Sequence, residues 1–195
     1  MAQLAREDLD AAGAQAEGEA GGSRALLGQA SRFVALLAAW VAMCGSLFMS
    51  EVLQWPPCSL CWYQRILMYP LAGVLAIGIM RRDRGLPMYV LPFSLLGLGV
   101  SMYHHLLIKT DWFPPPPCVA SVPCNVDYLN WMDVVTIPLL AFTAFLIITL
   151  TMGASALLGA PADAEVEREP LPEVLGVAGT VVAVAVGFVI LSRVL

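Results

Sequence analysis

Four of the five cysteines in this 195-residue chain form two short-range pairs. Cys58 and Cys61 make a Cys-x-x-Cys motif, Cys118 and Cys124 have five residues between them, and Cys44 stands alone in an apolar stretch. A Cys-x-x-Cys pair is typical of three kinds of site: a redox-active disulfide, a structural disulfide or a metal site. A disulfide that closes so short a loop removes little entropy from the unfolded chain. We therefore favour the redox role over the structural one.

The spacing of the cysteines is a poor match to a metal or haem site. The second pair is wide for zinc, neither cysteine loop holds a histidine, and Trp62 stands where a haem-attachment motif has histidine. We expect no bound metal, although the residues alone leave that alternative open. Cys44 is expected to pack as a small apolar thiol.

The residues around the first pair predict the start of a helix. Pro56 and Pro57 come immediately before Cys58, and proline is well suited to the first position of a helix. Both cysteines then occupy the first turn, where the unpaired backbone N–H groups and the helix dipole favour a thiolate.

Arg65 adds a permanent positive charge to this motif. It follows Cys61 by four residues, so the two side chains share one helical face, with the arginine about 6 Å deeper. A charged side chain inside a membrane costs several kcal/mol unless it is paired, snorkels to the headgroups or serves a site. We expect Arg65 to face an electron-rich partner beside the thiols, either a thiolate or a carbonyl that gains charge on reduction. Snorkelling is the structural alternative.

The composition places these motifs in a membrane protein. Hydrophobic residues make up 59% of the chain and charged residues 13%, and a membrane helix needs about 20 apolar residues. Five segments reach or approach that length: 33–50, 58–80, 85–108, 134–162 and 174–192. The second is long enough only if the Cys-x-x-Cys motif begins the same helix. We predict an all-α membrane protein, an antiparallel four-helix transmembrane bundle with an appended fifth span.

The distribution of arginine sets the predicted orientation, because Lys and Arg are enriched on the cytoplasmic side. Basic residues precede the first span and fill the link between the second and third spans: Arg6, Arg24, Arg32, Arg81, Arg82 and Arg84. We expect the N-terminus inside, and both cysteine loops and the C-terminus outside. The outer compartment is oxidising, so pairing within each loop gives the disulfides Cys58–Cys61 and Cys118–Cys124.

The composition also divides the chain into four parts. Residues 1–31, rich in Ala, Gly and Glu, predict a disordered cytoplasmic tail. Residues 32–158 hold the four-span redox domain, 159–173 an acidic loop and 174–195 the additional span. The acids fall mainly in the tail and this loop, so the net charge of −5 says little about partners. No nucleic-acid surface is expected.

Three stretches carry a resemblance to a known family. They read CSLCWYQRILMYPL from Cys58, YHHLLIKTDWFPP from Tyr103 and YLNWMDVVTIPLLAFTAF from Tyr128. With the second cysteine pair, they resemble the DsbB family of disulfide-bond formation proteins over about residues 30–152. The closest pattern is the BdbC-like branch, in which Trp-Tyr-Gln-Arg-Ile-Leu-Met-Tyr-Pro follows the Cys-x-x-Cys.

The resemblance implies a membrane enzyme that passes electrons from thiols to a quinone, either ubiquinone or menaquinone. Its partner would be a secreted or periplasmic thioredoxin-like thiol oxidase of the DsbA type. Its location would be the bacterial cytoplasmic membrane, in contact with lipid, and we expect a monomer. Carried over by position, Cys58 and Cys61 would lie beside the quinone, with Cys61 as the thiolate that contacts it. Cys118 and Cys124 would exchange with the partner.

The resemblance also implies residues for the quinone site. Arg65 matches the family's quinone-site arginine, and His104 or His105 falls where the family has a histidine near the ring. Adjacent residues point about 100° apart on a helix, so only one of the two is expected to face the site. Trp62 is a further candidate for contact with the quinone; its alternative role is in the interfacial aromatic belt.

Two features depart from the family pattern, and two other functions stay open. The family usually has four spans, and its second cysteine pair is often more widely spaced. One alternative is a protein like vitamin K epoxide reductase, in which the loop pair precedes the Cys-x-x-Cys motif, whereas here it follows. The other is a membrane scaffold or transporter with structural disulfides.

Overall fold

The computed structural model describes residues 2–110, 123–125, 128–129, 135–158 and 171–194, with side chains from residue 21 onward except residue 25. These residues contain five helices: α1 (Ala2–Glu51), α2 (Ser59–Met80), α3 (Leu86–Lys109), α4 (Ile137–Leu158) and α5 (Leu171–Val194). Each holds a stretch long and apolar enough to cross a membrane, which in α1 is Gly21–Glu51. The prediction of five spans is confirmed within these residues.

α1 is longer than the sequence predicts. The helix begins at Ala2 and so includes most of the segment 1–31, for which the composition predicts a disordered tail. Low apolar content argues against a packed core in that segment. However, Ala, Glu, Gln, Leu and Arg all have high helix propensity, so the helix of the first span extends back through them.

α2 begins where the cysteine motif predicts. Cys58 is the N-cap residue, in an extended conformation, and the backbone N–H of Cys61 donates a hydrogen bond to its sulfur at 3.4 Å. Pro56 and Pro57 lie between α1 and this cap, and proline has no N–H with which to continue a helix. The Cys-x-x-Cys motif therefore starts the second span, as predicted.

The first four helices form an antiparallel bundle. α1 packs against α2 and α4, and α3 packs against the same two helices. At one end, Arg32 of α1 donates hydrogen bonds to Ser155 Oγ late in α4 (3.0 Å) and to the carbonyl of Asp83 in the α2–α3 turn (3.2 Å). At the other end, Gln64 early in α2 contacts His104 late in α3 at 3.2 Å. Successive helices therefore run in opposite directions, which confirms the predicted bundle.

The core of the bundle is apolar and depends on close helix approach. Its large, fully buried hydrophobic side chains are Leu36, Leu71, Leu75, Leu86, Val90, Phe145, Ile148 and Met152. Phe145 of α4 lies so close to Gly97 of α3 that a Cβ atom there would overlap the ring. A small residue lets two membrane helices approach closely, so Gly97 sets the distance between α3 and α4.

α5 lies on the outside of the bundle, against α1 and α2. Gly176 near its start packs against Phe33, and Phe188 near its end packs against Gly45. Since Phe33 and Gly45 follow the same order along α1, α5 runs parallel to that helix. Its C-terminal end therefore lies at the same end of the bundle as the Cys-x-x-Cys motif.

We expect Gly97→Ala to destabilise the bundle, whereas Gly99→Ala leaves it intact. A methyl group at Gly97 meets the buried Phe145 ring, and overpacking costs about 1–3 kcal/mol. At Gly99, in the same helix, no neighbouring atom among the described residues lies within 4 Å of an added Cβ, and alanine gains about 0.5–1 kcal/mol of helix propensity. Thermal denaturation in detergent, followed by size-exclusion chromatography, measures both variants. Equal midpoints would contradict the close α3–α4 contact.

Candidate active site

The two sulfurs of the Cys-x-x-Cys motif lie at hydrogen-bond distance. Cys58 Sγ and Cys61 Sγ are 3.1 Å apart, whereas a disulfide bond is about 2.05 Å long. The pair is therefore a dithiol in this structure, and Cys58 donates its S–H to the sulfur of Cys61. Cys58 is buried, with 5% of its surface exposed, while Cys61 is half-buried.

The two thiols are chemically unequal although both lie at the start of α2. The hydrogen bond to Cys61, together with burial, raises the pKa of Cys58 to about 12. Cys58 therefore keeps its proton at neutral pH, and the sulfur of Cys61 is the one placed to carry negative charge. The Arg65 guanidinium, one turn further along α2, adds positive charge on that side.

His104 is buried at the centre of the site. Its Nε2 lies 3.0 Å from the carbonyl oxygen of Cys124 and 3.7 Å from Cys58 Sγ, and its Nδ1 lies 3.2 Å from Gln64 Nε2. A carbonyl oxygen only accepts hydrogen bonds, so Nε2 carries the proton and donates. Nδ1 then accepts from the Gln64 amide, which fixes the tautomer of the ring.

Cys124 lies beside the first cysteine pair. It is fully buried, and it shares a hydrophobic cluster with Cys58, Leu60 and Leu107. Its Sγ lies 3.2 Å from the hydroxyl oxygen of Ser59, the first residue of α2. Cys118 lies outside the described residues, so its pairing with Cys124 stays a prediction.

Arg65 is held by α1 and by a neighbour in its own helix. Its Nη2 donates a hydrogen bond to the carbonyl oxygen of Ser46 at 2.9 Å, and its Cζ lies 5.5 Å from the centre of the Trp62 ring. Trp62 is 51% exposed. Trp62 follows Cys61 directly in α2, so its side chain points in a different direction, toward the outside of the bundle. It is not among the residues that line the cavity beside the cysteines. In the structure the Trp62 ring therefore lies under the guanidinium of Arg65. It does not line the cavity where a quinone contact was predicted.

The two adjacent histidines have different surroundings. His104 faces the cysteines, whereas His105 Nδ1 lies 3.0 Å from the hydroxyl oxygen of Thr136. That hydroxyl oxygen also accepts a hydrogen bond from the backbone N–H of Leu139 in the first turn of α4 (3.3 Å). His105 therefore contacts the start of α4, and of the two only His104 lies among the described groups around the cysteine pair.

An apolar cavity of about 450 Å³ adjoins these groups. Cys58, Cys61, Arg65 and His104 contribute its chemically active part, and α1, α4 and α5 supply mainly apolar walls. The apolar part includes Val41, Gly45, Phe48, Met49, Met68, Leu140, Ala144, Phe145, Ile147 and Phe188. The volume and lining are those of a site for a small, largely apolar ligand with a few polar contacts.

The cysteine arrangement and the helical bundle agree with the comparison to known families. The model for "Disulfide bond formation protein DsbB" matches residues 29–152. This chain belongs to the DsbB family. Disulfide bond formation is an oxidation of two thiols, so the family assigns the chain an oxidoreductase role in that process. No solved structure gives a significant match.

Two disulfide formation proteins share this DsbB-family core. The chain is 46% identical over 127 residues to disulfide bond formation protein C of Bacillus subtilis, which covers 63% of this chain and 92% of the relative. It is 50% identical over 113 residues to probable disulfide formation protein C of Halalkalibacterium halodurans, which covers 57% of this chain and 82% of the relative. The family match ends before α5 begins, yet Phe188 of α5 lines the cavity.

Sequence reasoning missed three contributors to the site: Ser59, Gln64 and Phe188. Gln64 could have been predicted from the sequence, because a polar amide inside a membrane span needs a hydrogen-bond partner. Ser59 and Phe188 could not have been predicted, since serine is common at the start of a helix and phenylalanine is common in any membrane span.

We expect Cys58 to react with iodoacetamide much more slowly than Cys61 at pH 7 in the reduced protein. Thiolates are the reactive form, and a pKa of about 12 keeps Cys58 protonated until the pH is strongly alkaline. Cys61→Ala removes the largest cause of that raised pKa, so the alkylation profile of Cys58 should move to lower pH.

Peptide mass spectrometry across pH 6–11 measures these rates in a background with alanine at Cys44, Cys118 and Cys124. Comparable alkylation of Cys58 and Cys61 at pH 7 would show that the proton is not held on Cys58. An unchanged Cys58 profile in Cys61→Ala would show that the hydrogen bond between the sulfurs is not the cause.

Proposed function

We propose that this DsbB-family protein is a membrane thiol:quinone oxidoreductase that reoxidises an extracytoplasmic thioredoxin-like thiol oxidase. One observation carries the proposal. Cys58, Cys61, Arg65 and His104 all border the same apolar cavity of about 450 Å³, and Cys124 is buried beside the motif. A dithiol, a fixed cation and an imidazole therefore surround a space large enough for an aromatic ring.

The residues of this cavity fit a quinone. A bound quinone would accept two electrons and two protons, with oxidation of the dithiol to a disulfide. The apolar walls suit its ring, and the N–H groups of Arg65 and His104 are donors of the kind that bind carbonyl oxygens and stabilise charge developing on them.

In the proposed cycle, electrons enter through the second cysteine pair. A thiolate of the partner attacks Cys118 of the Cys118–Cys124 disulfide, which forms a mixed disulfide and releases Cys124 as a thiolate. The second thiol of the partner later attacks the mixed disulfide, so the oxidised partner leaves and Cys118 is released. Each step is a thiolate attack on a disulfide, and the relative reduction potentials set its direction.

The burial of Cys124 beside α2 supports direct exchange with the first pair. In our proposal its thiolate attacks Cys58 of the Cys58–Cys61 disulfide, which forms a Cys58–Cys124 disulfide and releases Cys61 as a thiolate. Attack by Cys118 on Cys124 restores the second disulfide and leaves Cys58 and Cys61 as the reduced pair. The Ser59 hydroxyl, 3.2 Å from Cys124 Sγ, is placed to stabilise the Cys124 thiolate.

The reduced pair divides charge and proton between its sulfurs. Cys61 holds the negative charge near Arg65, and Cys58, with its pKa raised to about 12, holds a proton. Reoxidation removes two electrons from the pair and the proton from Cys58, and a second proton comes from water. The Cys58–Cys61 disulfide is then ready for the next exchange.

We also propose that the cysteine end of the bundle faces the outside of the bacterial cytoplasmic membrane. Arg81, Arg82 and Arg84 lie in or beside the α2–α3 turn, at the opposite end. Such clusters are retained on the cytoplasmic side. This orientation puts the N-terminus inside and the end of α5 outside, and it exposes the second cysteine pair to a secreted partner.

We expect added quinone to oxidise Cys58 and Cys61 in the purified, reduced protein, and Arg65→Met to slow that reaction about a hundredfold. Methionine has a similar length but no charge beside the Cys61 thiolate. Arg65→Lys keeps the charge but loses the planar fork that holds the Ser46 carbonyl, so we expect a loss of about tenfold. Quinone absorbance in a stopped-flow instrument, with thiol trapping, measures both rates.

The control is Arg193→Met, which removes an exposed arginine in the last turn of α5. It should match wild type, and neither Arg65 variant should slow mixed-disulfide formation with the partner. If no quinone oxidises the reduced wild-type pair, the proposed function is wrong. If Arg65→Met reacts as fast as Arg193→Met, Arg65 is only an anchor at the membrane surface.

A further inference from the structure

Three metal-ligating atoms meet in the reduced site. Cys58 Sγ, Cys61 Sγ and His104 Nε2 all lie within 4.8 Å of one another. Two thiolates and one imidazole form a ligand set that zinc and related soft cations prefer. We infer that the reduced pair also binds one thiophilic divalent cation of the zinc class, through these three side chains, and that this cation inhibits the redox cycle.

The distances are close to those of a tetrahedral site. Zinc bonds of about 2.3 Å to sulfur and 2.0–2.1 Å to nitrogen put two sulfurs roughly 3.8 Å apart, and a sulfur and a nitrogen roughly 3.6 Å apart. Cys58 Sγ and His104 Nε2 already lie 3.7 Å apart. The two sulfurs, at 3.1 Å, need to separate by less than about 1 Å, which a small rotation of the half-buried Cys61 supplies.

Charge also favours a divalent cation here. Binding releases both thiol protons to water, and a divalent cation with two thiolates has no net charge, which suits the apolar cavity. His104 must present the lone pair of Nε2, so its ring proton moves to Nδ1. Rotation of the Gln64 amide then turns its oxygen toward Nδ1–H, the kind of outer partner that orients metal-binding histidines.

The redox state of the pair controls this site. Oxidation to the Cys58–Cys61 disulfide converts both thiolates into a poor ligand, so only the reduced protein binds the cation. A bound cation in turn holds both sulfurs away from oxidation. The cation is therefore an inhibitor that competes with the cycle, not a resident cofactor.

Cadmium titration of the reduced, full-length protein tests the inference. Alanine at Cys44, Cys118 and Cys124 leaves Cys58 and Cys61 as the only thiols. We expect one equivalent of Cd²⁺, seen as a thiolate-to-cadmium band in the ultraviolet, and one equivalent of Zn²⁺ by equilibrium dialysis. Prior oxidation with diamide, which requires no quinone, should abolish both.

The two adjacent histidines supply a matched control. His104→Ala should lower the affinity for Cd²⁺ about a hundredfold, whereas His105→Ala should leave it unchanged, because His105 contacts Thr136 instead. His104→Gln serves as a second variant if the alanine variant does not fold. Absence of binding to the reduced pair, or equal affinities in the His104 and His105 variants, would overturn the inference.

α5 carries a second, independent inference, which rests on the proposed function. Phe188 lies in the cavity wall, 3.7 Å from the position of a Cβ on Gly45, and its ring centre lies 6.0 Å from that of Phe48. A Cβ at Gly45 would lie at ordinary van der Waals distance from this ring, so Phe188 packs directly over this part of α1. We propose that α5 forms a wall of the quinone cavity and that Phe188 limits the size of the ring it accepts.

The placement of α5 is supported at its other end. Glu173 in its first turn forms an ion pair with Arg82 in the α2–α3 turn, and Gly176 lies against Phe33. With contacts near both ends, α5 holds Phe188 at a fixed position over α1. A side chain fixed in this way can discriminate between ligands by size.

We expect Phe188→Ala to raise kcat/KM for a naphthoquinone relative to a benzoquinone by about fivefold. Val189→Ala is the matched control, since Val189 is 54% exposed on the outer face of α5, and its ratio should equal that of wild type. Equal ratios in the two variants would reject the role of Phe188 while leaving the proposed function intact. Failure of the wild type to reduce either quinone would reject both.

Discussion

The candidate active site depends on one buried imidazole that joins three parts of the chain. His104 of α3 is 2% exposed and contacts Gln64 of α2, the Cys58 sulfur at the helix cap and the carbonyl of Cys124. The carbonyl requires a donor at Nε2, and the Gln64 amide can then donate to Nδ1, so one tautomer satisfies both. A buried polar group that loses its partner costs about 1–3 kcal/mol. The position of Cys124 beside the motif is therefore coupled to the orientation of this ring.

The charge of Arg65 remains available to the site because of how the residue is held. A carboxylate partner would neutralise it, but among the described residues its contacts are a backbone carbonyl and the Trp62 ring. These contacts fix the guanidinium against α1 and keep its full positive charge. With Cys58 protonated and Cys61 accepting its hydrogen bond, a negative sulfur and an uncompensated cation share the wall of one cavity. Chemistry that develops negative charge is favoured there.

The sequence predicts the parts of this structure that depend on local pattern. Hydropathy locates the spans, and the two prolines before Cys58 place the motif at a helix start, because both signals lie in neighbouring residues. The choice between His104 and His105 depends on the rotation of α3 in the bundle, about 100° per residue. The burial of Cys124 against Ser59 joins positions 65 residues apart, which spacing alone cannot reveal. The helical Ala2–Glu51 differs from the predicted tail because low apolar content does not prevent a helix.

α5 changes which side of the cavity meets the lipid. In a bundle of α1 to α4 alone, the face of α1 that carries Gly45 and Phe48 would lie open on the side where Phe188 now packs. Two other residues of the cavity wall, Val41 of α1 and Leu140 of α4, remain 44% and 43% exposed. Among the described residues, the cavity wall is therefore partly exposed between α1 and α4, and Phe188 covers it on the side of α5. An added helix at the edge of a bundle can thus cover part of a cavity wall without any change in the residues of the bundle itself.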